Sequence, residues 1–391
     1  MKWETVPLGE IARYVRGVTY KPADVVLDEG IACLRTKNIQ SVLDLRDLVY
    51  VDEHVTHRLE QRVQPDDVLV SSANSWHLVG RAVRATQAAA GMLIGGFIGA
   101  LRFNTARIDP AFGYRWFSSP EVQARVRSFG QQTTNIANLN VDRTLRLDIP
   151  LPPLPEQRRI AAILDEADAL RSTWGATRES ARRAISSRIS ALLSKSTDIK
   201  PLAQLLAEPM RNGISPSRGG RYEGEVLTLS AITRGAFDPR QRKSDLFAAP
   251  HAADKLAIEG LHLICRGNGN AELVGAMVAV TDQLDGVAFP DTMIGFRPSS
   301  EINSPTLVAA WRHPTVRDQL RRAARTTNGT YKVNQQSLAS VTVPVPRRED
   351  QEQIAALDAE RAKLDSQLAQ GLVSLDELFA SLQHRAFRGE L

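Results

Sequence analysis

The stretch Asp148-Ile-Pro-Leu-Pro-Pro-Leu-Pro-Glu-Gln157, followed by Ile160-Ala-Ala-Ile-Leu-Asp165, returns later in the same chain. Its second copy is Thr342-Val-Pro-Val-Pro346, Asp350-Gln351 and Ile354-Ala-Ala-Leu-Asp358. From Ile160 to Ile354 the offset is 194 residues, close to half of 391. Other landmarks keep nearly the same offset. Leu8 pairs with Leu202, Pro120 with Pro314, Leu78-Val-Gly80 with Leu273-Val-Gly275, and Thr133-Thr-Asn135 with Thr326-Thr-Asn328. A period this long means a duplicated domain, not a solenoid. The chain is two copies of one unit, each a globular head followed by a helical segment.

Each head reads as mixed strand and helix. In the first, Ile31–Ile39, Asp67–Val70 and Val79–Val83 have strand character bounded by turn residues. Asp109–Phe129 carries apolar residues at helical spacing, with Pro110 suited to a first turn and Pro120 breaking the run. The second head repeats the order with Val226–Ile232, Leu261–Ile264, Leu273–Met277 and a helical stretch at Thr306–Arg325. Both heads end in prolines, at 150–155 and 344–346. Proline disfavours helix in the residue before it, so these are stiff extended joints.

A long helix follows each joint. After the first, Ile160, Ile163, Leu170 and Ile185 belong to one apolar stripe. After the second, Ile354, Leu357, Leu364, Leu368, Leu375, Leu378 and Leu382 form a heptad seam with Gly371 in the skipped slot. Residues 156–195 hold eight Lys/Arg and five Asp/Glu, whereas 348–391 hold five and nine. A basic and an acidic helix with matching seams are expected to pair with each other, antiparallel if the heads are to sit at opposite ends. About 40 helical residues reach at most about 60 Å, against about 34–36 Å for a turn of DNA. The expected fold class is α+β: two duplicated α/β heads separated by two long helices paired as an antiparallel coiled coil.

Composition permits this reading and narrows the function. Hydrophobic residues make up 43% of the chain, enough for a core in each half. The formal charge of +5 and pI near 9.3 are compatible with a nucleic-acid partner without requiring one. No apolar run is long enough for a membrane span, and the opening Met1-Lys-Trp-Glu is polar. Cys33 and Cys265 have no metal or disulfide spacing and read as small buried residues in a reducing cytoplasm. Enzyme signatures are missing: there is no Gly-Lys pair for a phosphate loop, no His-Glu-x-x-His and no Asn-Pro-Pro-Tyr. The His54-Val-Thr-His57 pair lacks a third ligand nearby, so no metal and no catalytic residue is expected. Gly95-Gly-Phe-Ile-Gly99 has the wrong spacing for a dinucleotide fingerprint and reads as a turn between strands.

Polar loops remain at equivalent places in the two heads. The hairpin tip Ser71-Ser-Ala-Asn-Ser-Trp-His77 corresponds to Cys265-Arg-Gly-Asn-Gly-Asn-Ala-Glu272. Gln131–Asn138 corresponds to Thr326–Tyr331. Asn, Gln and Arg are the side chains that pair with base edges, although Asn, Gly and Ser also simply make turns. Shared frames with divergent tips are what two readers of different sequences require.

With these residues in view, the chain resembles the specificity subunit of type I restriction-modification systems. The resemblance rests on Ile149–Gln157 with its helix, the duplicate at 344–358, the closing His384-Arg-Ala-Phe-Arg-Gly-Glu-Leu391, and Trp3–Ile11. Arg347-Arg-Glu-Asp350 departs from the pattern of the first joint.

The resemblance implies target-recognition domains at 1–154 and 199–347, with spacer helices at 155–198 and 348–391. Each head would bind one half of a split site in double-stranded DNA. The helices would set the gap and dock two modification subunits, which carry S-adenosylmethionine. Restriction subunits, with ATP and Mg, would join them, and this chain would hold no cofactor. Arg35, Lys37, Arg218, Arg221 and Arg325 are candidate phosphate contacts. Asn74, Ser75, His77, Thr134 and Asn135 are candidate base readers in the first head, and Arg266, Asn268, Asn270, Asn328 and Tyr331 in the second. Rival readings are a methylation-only or other phage-defence complex, a cryptic enzyme, and a coiled-coil scaffold that does not touch DNA.

Overall fold

The computed structural model describes residues 3–27, 29–55, 57–132, 136–327 and 329–391. It divides into two compact units: residues 1–176 with 369–391, and residues 177–368. Both long helices, Leu154–Ser194 and Arg348–Ala386, cross this division, so each unit owns a part of each helix.

The two units repeat one sheet plan. In the first, an antiparallel four-stranded sheet runs in the order Ala12–Arg16, Ile98–Phe103, Val68–Ser71, Ala82–Arg84. The second has Arg211–Asn212, Met293–Phe296, His262–Cys265, Met277–Ala279 in the same order. Thr5–Pro7 pairs with Asp148–Pro150 in one unit, as Ile199–Pro201 pairs with Thr342–Pro344 in the other. The helical stretches break at the prolines into Pro110–Phe117 with Pro120–Ser128, and Ser304–Arg312 with Pro314–Ala323. Asp109 and Asn303 cap the first helix of each pair through their side-chain oxygens.

Four expected strands differ in their bounds: Val79–Val83 and Leu273–Met277 overlap the observed Ala82–Arg84 and Met277–Ala279 only at their ends, because Gly80 and Gly275 turn at positive φ. Ile31–Leu34 gives way to a 3-10 turn at Thr36–Asn38, because the buried Asn38 accepts from Arg35 N at 2.8 Å and donates to Asp44 O at 2.7 Å. The strand Tyr222–Leu227 likewise ends before a helical turn at Ser230–Thr233.

The proline joints are locked by a buried glutamine. Gln157 Oε1 accepts from Asp109 N at 2.8 Å, and its Nε2 donates to Pro152 O at 2.8 Å and Arg107 O at 3.1 Å. Gln351 repeats the set with Asn303 N at 2.9 Å, Pro346 O at 3.0 Å and Glu301 O at 2.9 Å. The two joints share this geometry despite Arg347–Asp350.

The helices pair antiparallel within each unit. In the first, Arg159 Nη2 donates to Leu391 O at 3.1 Å, Arg171 Nε to Asp376 at 2.8 Å, and Trp174 lies against Gly371. A Cβ on Gly371 would come within 2.5 Å of the indole. Ile160 and Leu164 are buried with Phe379, Leu382, Ala386 and the helix Pro110–Phe117 of the head. In the second unit, Ile185, Ile189 and Leu193 share a cluster with Ile354, Leu357 and Leu364, beside Arg178 and Arg182 on Asp365 at 3.3 Å. Ile163, Leu368 and Leu375 are half-buried.

Two seam residues are corrected. Leu170 is 46% exposed and Leu378 51% exposed. On the second helix the seven-residue spacing holds from Ile354 through Leu357, Leu364, Leu368 and Gly371 to Leu375, and beyond it the inward positions shift by one residue to 379, 382 and 386. Phe379 therefore occupies the place expected for Leu378. It stacks on the Arg171 guanidinium at 4.7 Å, and Arg171 in turn takes the inward place next to Leu170.

Three outcomes follow from these contacts. Gln157→Ala leaves Asp109 N, Pro152 O and Arg107 O without this partner and costs about 2–4 kcal/mol, with hydrogen-exchange protection lost at residues 107–112 and 150–160. Leu378→Glu changes stability by less than about 0.5 kcal/mol, whereas Phe379→Ala costs about 2 kcal/mol or more in denaturant unfolding. His262 in the second head is buried, with its Nδ1 3.3 Å from Gly260 O and Nε2 3.0 Å from Ser304 Oγ, and burial pushes it down to about 4. The unfolded chain takes up a proton below about 6.5 while the folded one does not. Stability is therefore full above about 6.5 and falls as pH drops toward about 4, by roughly 2–3 kcal/mol at pH ~4.5. His262→Val, the residue at the equivalent Val68, removes that part of the pH dependence in urea titrations.

Candidate nucleic-acid interface

In the first head the hairpin of Val68–Ser71 and Ala82–Arg84 carries its tip beyond the main sheet. There Ala73–Asn74 pairs with Ala137–Asn138, which pairs with Gln131–Gln132. The tip and the polar loop, 60 residues apart in sequence, thus form one small three-stranded sheet. The second head builds the same sheet from Gly267–Asn268, Thr330–Lys332 and Arg325–Thr327.

A third segment joins each tip. Ser72 N and Ala73 N donate to Phe97 O at 2.9 and 3.3 Å, and Arg266 N donates to Thr292 O at 2.8 Å. Leu139 N donates to Ser72 O at 2.8 Å, as Val333 N does to Arg266 O at 2.9 Å. The frame is one bonding pattern with different side chains hung on it.

Within the first head, Ser75 and His77 are exposed on the tip. Asn74 is half-buried: its Nδ2 donates to Ser71 Oγ at 3.1 Å and its Oδ1 accepts from Ser75 N at 2.9 Å, so it shapes the turn. Arg35 and Lys37 stand on the 3-10 turn, and both face Asp47. Lys37 holds the Asp47 carboxyl below the usual carboxylate range.

In the second head, Asn268 Oδ1 accepts from Asn270 N at 2.9 Å and Asn270 Oδ1 from Glu272 N at 3.0 Å. Both are Asx-type turn formers, and the Asn268 side chain also bonds the Cys265 thiol. Arg266 is half-buried and donates to Asp291 O at 3.3 Å. Tyr331 packs on the main core. Arg218 and Arg221 are exposed beside a separate ribbon, Tyr222–Leu227 with Arg242–Phe247, and are not part of the small sheet. Arg325 opens the third strand of the small sheet. Thr134, Asn135 and Asn328 lie outside the described residues.

Sequence reading missed the residues that hold the second tip. Arg321 clasps Glu272 at 2.9 and 3.1 Å, keeping that carboxyl below its usual range, and Arg317 donates to Glu272 O at 2.8 Å. Their arginine-rich helix signals charge, but only the fold directs it to the tip. A polar pocket of about 470 Å³ opens beside this sheet, lined by Arg266, Lys332, Gln336, Ser337 and Ser340.

The exposed groups are hydrogen-bond donors and acceptors suited to base edges and phosphates. Both cysteines are buried, and burial pushes each thiol up to about 11, so neither is poised as a nucleophile. Among the described residues no three His, Cys, Asp or Glu side chains group as metal ligands, and no helix is long and apolar enough to cross a membrane.

Known proteins agree with this architecture. Residues 1–174 match the family described as Type I restriction modification DNA specificity domain. The type I restriction enzyme StySPI specificity subunit of Salmonella potsdam is 25% identical over 420 residues, covering all of this chain and 89% of its own. The EcoKI specificity subunit of Escherichia coli K12 is 24% identical over 422 residues with the same coverage. Among solved structures, a chain from a study of assembly and conformational transition of the type I R-M system aligns over 100% of this chain and 98% of its own, at TM-score 0.60 and 16% identity. The type I S subunit from M. genitalium aligns over 99% and 96%, at TM-score 0.55 and 14% identity. Residues 1–174 thus match this family's domain, and the whole chain, with its duplicated heads and paired helices, is similar to the specificity subunits of type I restriction-modification systems.

Proposed function

We propose that each head of this specificity subunit holds one half of a bipartite, asymmetric site in double-stranded DNA. The observation that carries this reading is the small three-stranded sheet present in both heads, built on the same backbone bonds and faced with different side chains. Backbone bonds fix where a tip stands, and side chains decide which base edge it accepts. In the first head Asn74, Ser75 and His77 are the base readers. In the second they are Arg266, Asn268 and Asn270. Arg35, Lys37, Arg218, Arg221 and Arg325 serve phosphates.

The paired helices set the gap between the half-sites and dock two modification subunits. Those subunits carry S-adenosylmethionine and methylate adenine, which must leave the duplex stack to react. Restriction subunits with ATP and Mg complete the complex. The chain is a non-catalytic subunit and directs the chemistry of its partners. Residues 1–154 and 199–347 act as the two target-recognition domains, with 155–198 and 348–391 as spacers.

The test exchanges residues 199–347 for the same segment of another specificity subunit and maps adenine methylation across a genome. One half of the split motif changes and the other stays. A change in both halves, or in neither, contradicts one head for one half-site.

A further inference from the structure

Phe97 stands out on the first head. It is 69% exposed, yet it sits on a turn whose backbone is bonded on both sides. It follows Gly95-Gly96 in a tight turn closed by Ile98 N donating to Gly95 O at 2.9 Å. Gly95 N also donates to Leu34 O at 3.0 Å, and Val18 N to Ile94 O at 2.6 Å. Three backbones meet here with no room for side chains. A Cβ on Gly17 would lie 2.0 Å from Gly95 O, and one on Gly95 would lie 2.3 Å from Leu34 O. Phe97 O then receives the two amides of the hairpin tip, Ser72 N and Ala73 N. A rigid turn thus carries an uncovered aromatic ring on the segment bonded to the tip that bears Asn74, Ser75 and His77. In the second head the same turn carries Asp291 and Thr292.

We propose that Phe97 is a specificity-determining residue of the first head, pressed against the apolar surface of a DNA base. This rests on the reading of the tips as DNA readers. An aromatic ring meets that chemistry at two places, the 5-methyl edge of thymine and the face of a base unstacked by an inserted wedge. Either contact needs a side chain whose backbone does not yield under load, which the glycine-packed turn supplies. The second head, polar at this position, lacks the contact, so the two half-sites are read by different chemistry. DNA is favoured over a protein partner because the turn's own hydrogen bonds go to the polar tip.

The experiment measures binding of the full chain, assembled with its modification subunits, to a duplex bearing the motif from the methylation map. Phe97→Ala is expected to weaken binding by about tenfold or more and to relax discrimination only in the half-site read by the first head. Phe97→Leu retains most of the affinity. Replacing thymine by deoxyuridine weakens the wild type and not Phe97→Ala if the methyl edge is the contact. A rise in 2-aminopurine fluorescence seen with the wild type and absent with Phe97→Ala marks the unstacked face. Unchanged binding and discrimination in Phe97→Ala overturns the proposal, as does a loss with neither base signature. A defect in subunit assembly instead of DNA binding also overturns it, in favour of a protein contact. Failure of the wild-type complex to prefer its motif over a scrambled duplex strikes the specificity reading itself, and is seen before any variant is compared.

Discussion

The amide of Gln157 makes three hydrogen bonds within the first unit, and the placement of the long helix on its head depends on them. One bond reaches the cap of the helix at 110–117, one the loop before it and one the proline joint. No other side chain does the same job. Glutamate lacks the donor, and asparagine is a methylene shorter. Each buried group left unpaired costs about 1–3 kcal/mol. That explains why Gln351 rebuilds the same three bonds although the residues before it have become Arg347-Arg-Glu-Asp. The prolines stiffen the approach, and the glutamine decides where the helix starts.

Beyond that anchor, apolar burial and charge divide the work on the helices. Fully burying an isoleucine or leucine such as Ile160, Leu164 or Ile354 is worth about 1.5–3 kcal/mol. A partly exposed ion pair such as Arg178–Asp365 is worth about 0–1 kcal/mol. The seam therefore supplies the pairing energy, and the Arg–Asp pairs select the register. Arg115 shows the same division inside the first unit. Its guanidinium bonds Asp165 at 2.6 Å and Asp168 at 2.9 Å, while its carbonyl accepts from Gln383 at 2.7 Å. One residue thereby ties the head to both helices.

The two heads keep their frame while exchanging what fills it. Asp67 and Arg102 form a bidentate ion pair at 2.7 Å in the first, whereas the equivalent positions in the second are the buried Leu261 and Arg297, whose guanidinium turns to Glu259 O at 3.1 Å. With the carboxylate replaced by an apolar residue, the arginine takes a backbone carbonyl as its partner, so the frame tolerates the exchange. The same tolerance at the tips lets Asn, Ser and His stand where Arg, Gly and Asn stand in the other copy. The tips differ in length as well as in side chains, and the shared backbone bonds at their bases hold both in the same frame.

Much of this was legible in the amino-acid order. The 194-residue repeat, the proline joints, the two long helices and their opposite charges are local or periodic signals, and each is visible without knowing any contact. The hairpin tips and polar loops were also visible as candidates, because turn chemistry is local. What no local signal carries is which segments meet. The sheet joining residues 73–74 to 137–138, the turn at Phe97 beneath the tip, and the three partners of Gln157 all connect positions tens of residues apart. The inward place of Phe379 over Leu378 is of the same kind, because both are apolar and adjacent and only the partner helix, through Arg171, decides which of them faces in. Chain order specifies which residues are available, and long-range backbone pairing and packing choose the face each of them shows.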